Sequence, residues 1–122
     1  MRTLIFLAAL AVAGPAAAGP MDGARWSADT VERKGVDEMT TNLMFRRTGP
    51  GEWSVSARCE TRDTRTGRWR ARTGQGAAVR SMGLILIDAG KVGRMVLSER
   101  SAELFGNAPG CAQGTVDLGT GD

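Results

Sequence analysis

Residues 52–62 read Glu-Trp-Ser-Val-Ser-Ala-Arg-Cys-Glu-Thr-Arg (EWSVSARCETR). Trp53, Val55, Ala57, Cys59 and Thr61 occupy one parity, and Glu52, Ser54, Ser56, Arg58, Glu60 and Arg62 the other. Successive side chains of a strand point to opposite faces, so this alternation predicts a strand with one buried and one solvated face. The same pattern lies on both sides of it. Met39, Thr41, Leu43 and Phe45 alternate with Thr40, Asn42, Met44 and Arg46, and Trp69, Ala71 and Thr73 alternate with Arg68, Arg70 and Arg72. Arg25 to Lys34 reads as a first strand with Trp26, Ala28 and Thr30 on one side, although Val31 and Val36 disturb the period and leave a helix open.

Turn signals separate these runs: Thr48-Gly49-Pro50-Gly51, Asp63 to Gly67, Gly74-Gln75-Gly76 and Asp88-Ala89-Gly90. Glycine supplies the positive φ that tight turns need. Gly83-Leu84-Ile85-Leu86-Ile87 is continuously apolar and predicts a central strand covered on both faces. Val92 to Ser98 returns as its hairpin partner. Ser98 to Gly106 carries Glu, Ala and Leu with a glycine stop, the pattern of a short helix. Gly114 to Asp122 predicts a short edge strand through Val116 and Leu118. The expected fold is therefore all-β: a small antiparallel meander of about six strands, barrel or sandwich, with at most one short helix near 98–106. Trp26, Trp53 and Trp69 are expected inside it or near a rim.

Met1-Arg2, the apolar run Leu4 to Ala13, the Gly14-Pro15 break and the small residues Ala16 to Ala18 form the layout of a secretory leader. Ten apolar residues fall short of the roughly 20 that a membrane span needs. Residues 1–18 are thus expected to be a signal peptide and residues 19–122 one β-rich domain in the periplasm or outside the cell. Only 17 of those 104 residues are Leu, Ile, Val or Phe, a thin supply of core material. Cys59 and Cys111 are the only cysteines, and in an oxidising compartment they are expected to form a stabilising disulfide.

Charge is uneven. Residues 46–80 hold nine arginines against Glu52, Glu60 and Asp63, a local excess of +6. Arg58 and Arg62 on one strand, Arg68, Arg70 and Arg72 on the next, and Arg65 at the connecting turn are expected to share one outward surface. The planar guanidinium fork suits phosphate, sulfate and carboxylate. These six arginines are therefore the candidate anion-binding residues, with an anionic glycan, a lipid headgroup or an acidic protein as partner. Nucleic acid is disfavoured, because Trp69 is read on the face opposite the arginines and a nucleic-acid platform stacks bases beside its cations. Arginine outnumbers lysine 14 to 2, so part of the excess can reflect a G+C-rich genome.

The chain has no histidine, which excludes histidine relays and histidine metal sites. No carboxylate pair, serine–lysine dyad or metal spacing stands out, so the expected protein is a binding protein with no cofactor, no metal and no catalytic residues. The parity of Met39 and Met44 separates them, which argues for core packing over a copper(I) site. In size, leader, β-pattern and single disulfide, the chain resembles the small periplasmic barrel proteins that include protease and lysozyme inhibitors, without their signature motifs. Gly51-Glu52-Trp53 followed by Cys59-Glu60 resembles the Trp-to-Cys segment of the invasion-associated protein B family, over less than a tenth of the chain and without that family's other cysteines. An alternative expectation is an inhibitor or accessory subunit of an exported enzyme, presenting the proline-containing loops Thr48–Gly51 and Asn107–Gly110.

Overall fold

The structure, a computed structural model, describes residues 20–120; the expected signal peptide lies outside them. Nine strands form one antiparallel sheet: β1 (Arg25–Lys34), β2 (Asp37–Gly49), β3 (Glu52–Asp63), β4 (Trp69–Ser81), β5 (Leu84–Asp88), β6 (Arg94–Ser98), β7 (Glu103–Asn107), β8 (Gly114–Thr115) and β9 (Asp117–Thr120). Their order is β8-β7-β6-β5-β4-β3-β2-β1-β9. Because β8 and β9 are separated by Val116 alone, the chain end pairs with β7 on one side and β1 on the other. The Val116 N–H donates to the Ala102 carbonyl (2.9 Å) and Thr30 Oγ1 donates to the Thr115 carbonyl (2.8 Å). The meander is thereby a nearly closed barrel, and the expected edge strand at the C-terminus is its closing staple. Closure removes the unpaired edges that otherwise invite association.

The alternation in residues 52–62 is realised: Trp53, Val55, Ala57 and Cys59 are buried, as are Met39, Thr41, Leu43 and Phe45 on β2 and Trp26, Ala28 and Thr30 on β1. The helix alternative for residues 25–34 does not occur. At one end of the core the Trp26 and Phe45 rings stack at 3.8 Å, and Trp53 meets both edge-on at 5.9 and 6.4 Å. The Arg80 guanidinium lies 5.3 Å from the Trp53 ring, pairs with Glu99 at 2.8 Å and lies 3.8 Å from Asp22. Aromatic area here compensates the scarcity of aliphatic side chains. It does so at the cost of two buried indole N–H groups, on Trp26 and Trp53, without acceptors among the described residues.

Four expectations are corrected. Residues 98–106 form no helix: a turn through Ala102 (φ 53°) leads into β7, and Gly106 is required because a Cβ there would lie 2.6 Å from the Arg94 carbonyl oxygen. The apolar run 83–87 is covered on one face only; Ile85 and Ile87 are buried while Leu84 and Leu86 remain about 40% exposed. Gly74 and Gly76 lie inside strand β4, in place of a turn. They are glycines because the 88–92 segment packs onto their inner face, where a Cβ would stand 2.1 Å from the Ala89 oxygen and 1.8 Å from the Asp88 oxygen. The strands number nine, since the second half of the chain divides into short pieces.

Candidate functional site

The end of the barrel opposite the aromatic cluster holds part of the sequence-predicted set, Arg68, Arg70 and Arg72. Its floor is the segment from Ala108 to Ala112, which enters the barrel and buries Ala108, Cys111 and Ala112. Side chains from three adjacent strands hold its carbonyls in turn. Thr41 on β2 donates to the Ala112 oxygen (3.0 Å), Thr61 on β3 to the Gly110 oxygen (3.2 Å), and Arg72 on β4 to the Pro109 oxygen (2.9 Å). Arg72 also donates to the Lys91 carbonyl, tying the 90–92 turn to the same segment. The Cys59–Cys111 disulfide, expected from the sequence, anchors the plug to β3.

The arginines do not share one surface. Across β3 and β4 the pairs are Arg58↔Thr73, Cys59↔Arg72, Thr61↔Arg70 and Arg62↔Trp69, and directly opposed residues share a face. Arg58 and Arg62 therefore point outward, whereas Arg70 and Arg72 share the inward parity of Thr61 and Cys59. The reason lies further along β4. Gly74 and Gly76 receive the 88–92 segment on the inside and Ala78 is buried, so even-numbered positions face inward. Arg68, beside Asp63 through the bond from Asp63 N–H to the Arg68 carbonyl (2.8 Å), stands at the lip.

The same register places Trp69 at the rim, one of the two places expected for it: it is 60% exposed and stands opposite Arg62 on the outer face, on the parity opposite to Arg70 and Arg72. Among the candidate anion-binding residues, Arg58 pairs with Glu60 at 2.9 Å and Arg65 stands 4.0 Å from Asp63, while Arg72 is engaged with the two carbonyls. Arg62, Arg68 and Arg70 make no ion pair among the described residues. Asp63 is occupied by the turn, accepting from the Arg65 N–H (2.8 Å) and the Thr66 N–H (3.1 Å).

Two adjoining clefts open at this mouth and share Thr61 and Arg70. One, of about 620 Å³, is bounded by Asp37, Asp63, Arg68 and Trp69; the other, of about 280 Å³, lies against Cys59, Arg72, Pro109 and Gly110. The resulting surface offers two guanidinium forks without an ion pair among the described residues, those of Arg68 and Arg70, beside Trp69 and Thr61, with Asp37 and Asp63 in the same lining; Arg62 lines neither cleft and stands opposite Trp69 on the outer face. It can grip an anionic group and cover an adjacent apolar or ring-shaped surface. Sequence reasoning missed Trp69 and Thr61 as members of the site; the signal available was the even parity of Gly74, Gly76 and Ala78, which extends back to Arg72, Arg70 and Arg68.

The proline-containing loops differ in character. Thr48–Gly51 is the tight β2–β3 hairpin connection, while Asn107–Gly110 leads into the plug with its Pro109 and Gly110 carbonyls bonded. In comparisons with known proteins, no family model, no curated protein and no solved structure matches this chain.

Proposed function

We propose that this is an exported, periplasmic or secreted, binding protein that holds an anionic envelope component at the plugged mouth of its barrel. The observation that carries the proposal is the cleft at this mouth lined by Arg68, Trp69 and Arg70, with the exposed Trp69 standing opposite Arg62 on its outer side; none of the three arginines has an ion pair among the described residues. Arginine forks take phosphate, sulfate or carboxylate in bidentate fashion. An indole beside them adds an amphipathic platform for a sugar ring or a lipid glycerol region. The disulfide supports export, because such bridges persist in oxidising compartments.

Arg68, Arg70 and Arg62 are the direct contacts in this reading, Trp69 the platform, and Arg72 a positioning residue that keeps the plug in place. Arg58 and Arg65, the remaining sequence candidates, contribute at longer range through the local positive potential. The test is elution from a heparin matrix in a salt gradient. The Arg62→Ser/Arg68→Ser/Arg70→Ser chain is expected to elute at clearly lower salt than the wild type. A chain with Arg25, Arg33 and Arg100 changed to Ser, removing equal charge elsewhere, is expected to shift much less. Trp69→Ala is expected to weaken binding several-fold with little change in its salt dependence, since it removes no charge. Equal shifts for the two triple variants would mean that only net charge matters and would overturn the site.

A further inference from the structure

Outward side chains of β4 to β7 form a cross-strand row: Val79 opposes Leu86, Leu86 opposes Val96, and Val96 opposes Phe105. Val79, Leu86 and Phe105 are 40–48% exposed. One residue pair along the strands, Leu84 opposes Ser98; in the other direction, Asp88 opposes Arg94. Asp88 and Arg94 form a loose pair at 3.9 Å with both side chains mostly in solvent. A cleft of about 480 Å³ bounded by Val79, Leu86, Asp88, Arg94 and Val96 opens on this face. The face lies on the second half of the sheet, distinct from the Arg62–Trp69 surface on β3 and the start of β4.

We propose that this face is covered by a second copy of the same chain. The pattern is self-complementary about a two-fold axis parallel to the strands between β5 and β6. That operation sets Leu86 of one copy against Val96 of the other, twice, and Asp88 against Arg94, twice. It sets Leu84 against Ser98 and Ser81 against Glu103, so no like charges meet. A symmetric interface requires such reciprocity, and here both the apolar and the charged pairs satisfy it. Barrel curvature carries Val79 and Phe105 to the flanks. Strands about 4.8 Å apart and three residue pairs deep give a face of roughly 400 Å² per copy, about half of a standard interface. The dimer is therefore reversible and forms at high protein concentration.

Sedimentation equilibrium from about 10 μM to about 1 mM tests it. The average mass of the wild type is expected to rise towards that of a dimer. Asp88→Arg alone and Arg94→Asp alone are each expected to stay monomeric, because like charges then meet across the axis. An equimolar mixture of these two single variants is expected to associate, which the pair within one chain cannot produce. Asp88 and Arg94 are exposed and Val96 is half-buried on the outer face, and circular dichroism establishes that each variant is folded. A wild type that stays monomeric to the highest concentration, a mixture no heavier than its components, or association that survives Val96→Asp would each overturn the proposal.

Discussion

Replacing both Cys59 and Cys111 by alanine is expected to lower the unfolding free energy by about 4 kcal/mol, from the entropy of a loop whose ends lie 52 residues apart. A domain of this size has about 5–15 kcal/mol in total, so the variant should be close to its folding threshold at physiological temperature. The bridge joins the plug to β3, the middle of the three strands whose side chains hold it. Its loss leaves, among the described residues, the Thr41, Thr61 and Arg72 side chains to hold the plug carbonyls. Urea denaturation followed by tryptophan fluorescence measures the effect: the midpoint should fall steeply, and the slope should rise because the unfolded chain without the bridge is less compact. A loss of less than about 1 kcal/mol would show that the hydrogen bonds alone hold the plug and that the bridge adds little.

The second large effect is expected from Gly76→Ala, a change of one methyl group. The new Cβ would meet the Asp88 carbonyl oxygen at 1.8 Å and its carbon at 2.9 Å. Both are backbone atoms of the segment that packs inside β4, so no rotamer change relieves the overlap. Overpacking typically costs 1–3 kcal/mol, and this contact puts the expected loss at about 3 kcal/mol. Gln75→Ala, one residue away and exposed, serves as the control and should change stability by no more than about 0.5 kcal/mol. Equal melting temperatures for the two variants would mean that the 88–92 segment does not press on β4 as described.

Gly76 also shows why composition alone misleads over part of the chain. Thr73-Gly74-Gln75-Gly76 has the composition of a turn, and glycine in a turn is explained locally by φ. Neither Gly74 nor Gly76 has a positive φ here; what demands them is a segment some 14 residues later, a cause invisible to local reading. The burial face of β4 was lost with them. With the inner face of β4 hidden, the alternation of Trp69 with Arg68, Arg70 and Arg72 leaves open which set faces in, and the expected shared surface of the six arginines takes the wrong face for β4. Ser98 to Gly106 failed for a related reason: helix propensity is weak, and strand pairing with β6 decides the conformation.

The all-β class, the boundaries of β1 and β3 and the partnership of the two cysteines were determined by the sequence itself. Each depends on a property read directly from the chain: period-two alternation, turn residues at its ends, or a lone pair of thiols. Tertiary structure alone decided that the sheet closes through Val116, that residues 108–112 plug one end, and that Arg70 and Arg72 face inward while Trp69 faces out. Those outcomes depend on register between strands and on backbone segments meeting across the barrel. A one-residue shift in register exchanges the two faces of a strand without altering its composition or its alternation. The alternation of residues 52–62 predicts a strand with a buried side, but only the register of the nearly closed barrel settles which arginines stand beside Trp69.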